Sequence, residues 1–201
     1  MKRCVLVIPD AGPLNSLWVA DRLDLLLRLD MPIVVVDAVY DEVTSNPAYP
    51  KDAAVKAFIE SNRPPFVIEQ TDVGTFERER REAGKPPKRN VGELAMMDFI
   101  SDAGGVRRYL ESGDPLLVLY EDQGLRVFQK PPNMHLLSTV GLLRGMERAG
   151  ILRSADAVIR EMTRPTKPGR RPQDRRAFSD LPDGVDQPAA IGSRWTTASS
   201  A

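Results

Sequence analysis

Short apolar segments alternate with amphipathic stretches along most of this chain. Four segments have the composition of a buried strand: residues 4–8, 32–36, 65–69 and 116–120. The stretches with helical spacing of apolar residues are 14–29, 39–43, 51–61, 92–103, 136–149 and 155–162. A strand covered on both faces reads as an almost continuous apolar run, and a helix usually connects parallel strands. The alternation therefore predicts an α/β protein with three layers, α/β/α, around a central parallel sheet of four to five strands, with Val127-Phe128 as a short fifth.

Composition changes near residue 163. Residues 164–201 hold seven basic and four acidic residues, many Pro, Gly and Ser, and few large apolar side chains. Such a segment cannot offset its ordering entropy by burial. We predict one domain over residues 1–163 and a disordered basic tail over residues 164–201.

Charge and cysteine content exclude several classes of protein. The chain carries 28 Lys plus Arg and 28 Asp plus Glu, so it does not bind nucleic acid simply by being basic overall. The single cysteine, Cys4, excludes an internal disulfide and a cysteine-built zinc site. No apolar run approaches the roughly 20 residues of a membrane span, and the first ten residues do not resemble a signal peptide. We expect a soluble cytoplasmic protein with no membrane partner.

Acidic residues follow the predicted strands. The first strand ends at Asp10, and the second leads through a short helix to Glu42. The fourth ends at Glu121-Asp122, and Glu93 lies in the first turn of a later helix. Ligands of parallel sheets bind beyond the carboxyl ends of the strands, so these acids can converge at one edge. Crowded carboxylates stay ionised only beside a cation, and their hard oxygens favour Mg²⁺ or Mn²⁺.

Two choices within this set stay open. Asp98 is the reserve for Glu93, because five residues separate them by about 140° around a helix and both cannot face one metal. Glu121 is the reserve for Asp122. Acids at these positions also serve as helix N-caps and as partners of helix dipoles, which is the structural alternative for each of them.

Basic residues offer an RNA contact. Residues 77–90 hold six basic and three acidic residues, and they include Lys85, Lys88 and Arg89. They form either an arm that grips RNA phosphates or a solvated helix followed by a proline-rich loop. Arg126, four residues after Asp122, contacts either a phosphate or a carboxylate.

The order of these acids resembles that of PIN-domain nucleases, in the PIN-like branch with a Gly-Glu third motif. The likeness runs from about Val5 to Leu152 and includes a final segment, residues 136–152, similar to that branch's last helix. Four pieces carry it: Val-Ile-Pro-Asp10-Ala-Gly-Pro-Leu, Val39-Tyr-Asp-Glu42-Val, Val91-Gly-Glu93-Leu-Ala and Leu-Tyr-Glu-Asp122-Gln-Gly-Leu-Arg126.

The resemblance implies an endoribonuclease that uses Mg²⁺ or Mn²⁺ to hydrolyse phosphodiester bonds of single-stranded or structured RNA. By position, the metal ligands and catalytic residues would be Asp10, Glu42, Glu93 and Asp122. Many prokaryotic members are toxins of toxin–antitoxin pairs, often homodimeric, and a small antitoxin protein covers their acidic site. The expected partners are therefore RNA, an antitoxin and a second copy of the chain.

The chain departs from the family at two places. Many members carry a small hydroxyl residue where this chain has Gly12, and Ser or Thr near the fourth acid where it has Tyr120-Glu121. Loss of catalysis, leaving a scaffold that binds RNA or a protein, is therefore one alternative. Another is a metal-dependent phosphatase of a different α/β fold, although that class needs a second Asp where Gly12 stands.

Overall fold

Five parallel strands form the centre of the molecule, in the order β3-β2-β1-β4-β5. The structure is a computed structural model and describes residues 5–101, 105–111, 113–121 and 133–173. Its strands are β1 (Leu6–Pro9), β2 (Ile33–Val36), β3 (Phe66–Glu69), β4 (Leu116–Tyr120) and β5 (Met134–Ser138). Strands β1, β2 and β4 are buried along their whole length, as expected for strands covered on both faces. The predicted α/β class and parallel sheet are confirmed.

Helices connect the strands and cover the sheet in a three-layer α/β/α arrangement. They are α1 (Ala11–Val19), α2 (Asp24–Leu27), α3 (Asp37–Thr44), α4 (Pro50–Ser61), α5 (Asp72–Glu82), α6 (Val91–Ser101), α7 (Thr139–Arg148) and α8 (Ala155–Thr163). Strand β1 lies between β2 and β4, so the chain changes direction across the sheet at β1 and β4. This point is the usual place for a ligand in an open parallel sheet.

The bounds predicted for two helices are wrong. The predicted helix 136–149 divides into β5 and α7, because Leu136 and Leu137 pair with β4 and Ser138 caps α7 by accepting the N–H of Gly141 at 2.9 Å. Spacing alone does not separate a short buried strand from a helical turn. The predicted helix 14–29 is broken at Asp21, which has a left-handed φ of 59°. The predicted strand Val127-Phe128 lies outside the described residues.

The start of the basic tail contacts the domain. Lys167 and Arg170 both pair with Asp21, and the Arg170 guanidinium lies 4.4 Å from the ring centroid of Trp18. The backbone N–H of Gln173 donates to the carbonyl of Met162 at 3.0 Å. Residues 164–173 therefore pack with the body, and the disorder predicted for the tail stays a prediction for residues 174–201, which the structure does not describe. Among the helices that are described, none is long and apolar enough to cross a membrane.

Candidate metal centre

The sheet brings Asp10 and Glu121 to neighbouring positions. Pro9, the last residue of β1, pairs with Leu119 of β4, and the backbone N–H of Asp10 donates to the carbonyl of Leu119 at 2.9 Å. Asp10 and Glu121 thus follow adjacent strand ends at the point where the sheet changes direction. Their positions match the convergence predicted from the strand pattern.

Helices α3 and α6 bring Glu42 and Glu93 to the same place. Gly92, in the first turn of α6, lies so close to Glu42 and Asp10 that a Cβ there would be 3.5 Å from Glu42 Oε2 and 3.6 Å from Asp10 Oδ1. It would also lie 3.2 Å from Val39, a contact tighter than most real Cβ contacts. The glycine therefore lets α6 approach closely enough for Glu93 to join the acids.

The four acids interact through their charges. Burial, together with the negative charges of Glu93, Glu42 and Glu121, raises the pKa of Asp10 to about 7 against the lowering effect of the Ala11 backbone N–H. Asp10 is 6% exposed. Ionising it without a cation is costly because water cannot reach the carboxylate and three like charges lie nearby.

Glu121 is held by two hydroxyl groups. Ser16 Oγ donates to Glu121 Oε2 at 2.8 Å, and Thr139 Oγ1 donates to Glu121 Oε1 at 2.5 Å. Both hydroxyl residues are fully buried. Burial raises the pKa of Glu121 to about 7, although the two hydrogen bonds act in the lowering direction. The carboxylate is therefore oriented by this pair and kept close to its titration point at neutral pH.

The two departures from the family pattern are one structural feature. A Cβ at Gly12 would lie 2.9 Å from the Cβ of Glu121, closer than real Cβ atoms approach, and 3.1 Å from its Oε2. Gly12 thus makes room for Glu121. The hydroxyl groups that contact Glu121 in this neighbourhood are those of Ser16 and Thr139.

The close contact between Gly12 and Glu121 predicts whether Gly12→Ala stabilises or destabilises the protein. Alanine in a helix is more stable than glycine by about 1 kcal/mol, so propensity alone predicts that Gly12→Ala stabilises the protein. The clash with Glu121 predicts the opposite, a loss on the order of 1–3 kcal/mol. Urea unfolding of Gly12→Ala, Glu121→Gly and the double variant measures it, because glycine at residue 121 removes the Cβ that the added methyl group would meet. The double variant should be more stable than Glu121→Gly alone; equal losses from Gly12→Ala in both backgrounds would contradict the contact.

Glu42 stands at the exposed rim of the site, between two cations. Partial burial of its carboxylate and the charge of Glu93 raise its pKa, whereas Lys51 and Arg81 lower it. Lys51 Nζ also donates to Asn15 Oδ1 at 2.9 Å, and Arg81 pairs with Glu77 at 3.1 Å. Lys51 and Arg81 therefore bring positive charge to the rim of the acidic centre near Glu42.

The structure separates the other sequence candidates. Asp98 lies elsewhere, because its Oδ2 accepts the backbone N–H groups of Asp72 and Val73 at the start of α5. Lys88 lies over the ring of Phe76 at 5.3 Å, and its N–H donates to Glu77, while Lys85 and Arg89 are exposed in the loop after α5. Asp122 and Arg126 lie outside the described residues. The structure places Glu121 at the site and leaves the role of Asp122 as a prediction.

The donor set fits a hard divalent cation. Within the described residues, no three Asp, Glu, His or Cys side chains come close enough together to form a ready-made metal site. Asp10 and Glu121 nevertheless have pKa values raised mainly by burial, and all four acids offer only carboxylate oxygens. A bound Mg²⁺ or Mn²⁺ would favour the ionised form of both carboxylates and so lower these pKa values.

Sequence reasoning missed Ser16 and Thr139. Ser16 is four residues after Gly12 and so lies on the same face of α1. This proximity can be predicted only when the helix is known to begin at Ala11. The predicted helix 136–149 includes Thr139, so the prediction did not place this residue directly after a strand.

Comparisons with protein-family models, curated proteins and solved structures found no match for this chain.

Proposed function

We propose that this protein is a metal-dependent endoribonuclease of PIN-like type. The observation that carries the proposal is the convergence of Asp10, Glu42, Glu93 and Glu121 at the point where the sheet changes direction, where the charges of the other three act on the buried Asp10. A buried carboxylate beside other acids is unstable as an anion by itself and is typical of a site that binds cations and phosphates. The resemblance to PIN-domain nucleases supports RNA as the substrate.

The acidic, hydroxyl and basic side chains of the site would have different roles in the reaction. Asp10, Glu42, Glu93 and Glu121 would hold Mg²⁺ or Mn²⁺, with Asp122 as a further ligand. When bound, the cation neutralises the acids, lowers the pKa of the attacking water and stabilises the charge that develops on the phosphate. Ser16 and Thr139 orient the Glu121 carboxylate. Lys51 and Arg81 supply positive charge for RNA phosphates beside the acidic centre.

Cleavage of a fluorescently labelled single-stranded RNA tests the proposal. We expect cutting with Mn²⁺ and with Mg²⁺, and none with EDTA. A phosphomonoester run in parallel separates the nuclease from a phosphatase, which would release inorganic phosphate and leave the RNA intact. Thermal unfolding with and without Mn²⁺ completes the set, because a ligand that binds the folded state stabilises it. No cutting of several RNAs and no stabilisation by Mn²⁺ would favour a scaffold without catalysis.

The biological setting is a further part of the proposal. The toxin role, the antitoxin and the homodimer follow from the family resemblance alone. An antitoxin that covers the site would protect the RNA, so co-expression with the product of the adjacent gene should suppress cleavage in the same assay. Cleavage that stays at the same rate while the two proteins co-purify would contradict this role.

A further inference from the structure

A second concave site lies at the other end of α1. Its volume is about 480 Å³, and its side chains are aromatic, basic and free of acids: Trp18, Tyr49, Lys51, Arg170 and Arg171 lie on its wall. Three elements build it, because α1, the start of α4 and the segment 164–173 meet there. Aromatic rings beside Lys and Arg are the side chains that bind a nucleotide, by stacking on the base and pairing with the phosphate.

The aromatic wall is built for stacking. Tyr49 is 47% exposed, which is unusual for so large an aromatic side chain. The Arg170 guanidinium lies 4.4 Å from the centroid of the Trp18 ring and is held there by its ion pair with Asp21, and its Nη1 is buried with no hydrogen-bond partner. Arg170 is 12% exposed, so it contributes positive charge to the wall, and the exposed ring of Tyr49 is the surface on which a base can stack.

The basic side chains can take the phosphate. Residues 164–173 contain four basic residues and no acidic one. Arg171 is exposed and forms no ion pair with any of the described residues. Two acids lie nearby: Asp52 pairs with Lys51 at 3.1 Å, and Asp21 pairs with both Lys167 and Arg170, which lower its pKa through hydrogen bonds and charge. The wall of the site is therefore positive overall.

Lys51 joins this site to the acidic centre. It lines the concave site, donates to Asn15 on α1, and acts on the charge of Glu42. Asn15 and Trp18 are three residues apart and share one face of the helix. Trp18 is eight residues after Asp10, about 12 Å along the helix axis. A single strand bound at the acidic centre can therefore reach this site within a few nucleotides.

We propose that the site lined by Trp18, Tyr49, Lys51, Arg170 and Arg171 binds a nucleotide of single-stranded RNA next to the phosphate held at the acidic centre. The inference rests on the proposed ribonuclease function for its choice of RNA. It adds that residues 164–173 are part of the substrate-binding surface.

RNA binding without cleavage tests the site. The probe is a short fluorescein-labelled single-stranded oligoribonucleotide, and anisotropy is recorded in EDTA with the full chain. Tyr49→Ala and Arg171→Gln should each weaken binding roughly tenfold, and Arg171→Gln should reduce the slope of log K against log salt by about one. Arg153→Gln is the matched control, since it removes one exposed charge away from the site and should change binding less than about twofold.

Each outcome of the binding experiment either supports or overturns the proposed RNA site. Equal binding by the wild type, Tyr49→Ala and Arg171→Gln would overturn the site, as would an absence of RNA binding by the wild type. Equally tight binding of an acidic peptide with the same sensitivity to both variants would assign the site to a protein partner instead. Failure of the ribonuclease is read separately, as RNA left uncut in Mn²⁺ while Tyr49 and Arg171 still govern binding.

Discussion

Asp10→Asn should reduce the rate of metal-dependent RNA cleavage at least about a thousandfold. The substitution keeps the shape of the side chain but removes the charge of the acid that interacts with Glu42, Glu93 and Glu121 at once. A thousandfold loss corresponds to about 4 kcal/mol of transition-state stabilisation, within the range that a catalytic cation supplies. Single-turnover cleavage of labelled RNA in Mn²⁺ measures it.

Asp98→Asn is the control for this prediction. Asp98 lies on α6, as Glu93 does, but its carboxylate caps α5 by accepting the N–H groups of Asp72 and Val73. The same Asp-to-Asn change there should lower stability by about 1 kcal/mol and leave the cleavage rate within about twofold of the wild type. Equal rates in wild type and Asp10→Asn would trace the activity to a contaminant and remove Asp10 from the site.

Removing the charge at residue 10 should also make the metal-free protein more stable. The pKa of Asp10 rises from 3.8 to about 7 on folding. Below pH 4 the carboxyl is protonated in both the folded and the unfolded state, so it does not change the free energy of unfolding. Between pH 4 and pH 7 the folded state holds the proton more tightly than the unfolded chain, so the free energy of unfolding falls as pH rises. Above pH 7 this loss of stability is complete and stays constant. At pH 8 in EDTA, Asp10→Asn should gain on the order of 3 kcal/mol.

Thermal unfolding across pH measures this gain. The difference in Tm between Asp10→Asn and the wild type should grow from pH 4 to pH 7 and then level off. Adding Mn²⁺ at pH 8 should shrink it, because the cation stabilises the ionised wild type. A difference that is constant with pH, or a variant less stable than the wild type at pH 8, would show that Asp10 is not under electrostatic strain.

The sheet and the acids could be predicted because their signals are local. A buried strand such as β4 shows in sequence as an unbroken apolar run, and an acid directly after it, like Glu121, is placed by the strand itself. Asp10 and Glu42 follow from the same argument applied to β1 and β2. Parallel topology then brings the strand ends together without any knowledge of side-chain contacts.

The rest of the site depends on contacts between distant residues. The hydrogen bonds from Ser16 and Thr139 to Glu121 join parts of the chain 105 and 18 residues apart. Gly12 could be seen only as a missing hydroxyl, since its role is the space it leaves for Glu121. The contacts of residues 164–173 could not be predicted from composition, which counts few apolar residues but does not show the pairing of Arg170 with Trp18 and Asp21.

Calorimetric titration of the chelator-treated protein with Mn²⁺ addresses the central claim, that the acids around Asp10 form a divalent-cation site. The wild type and Asp98→Asn should bind Mn²⁺ with the same affinity, and Asp10→Asn should bind it at least about tenfold more weakly. Binding that is absent from the wild type, or equally tight in Asp10→Asn, would contradict the site.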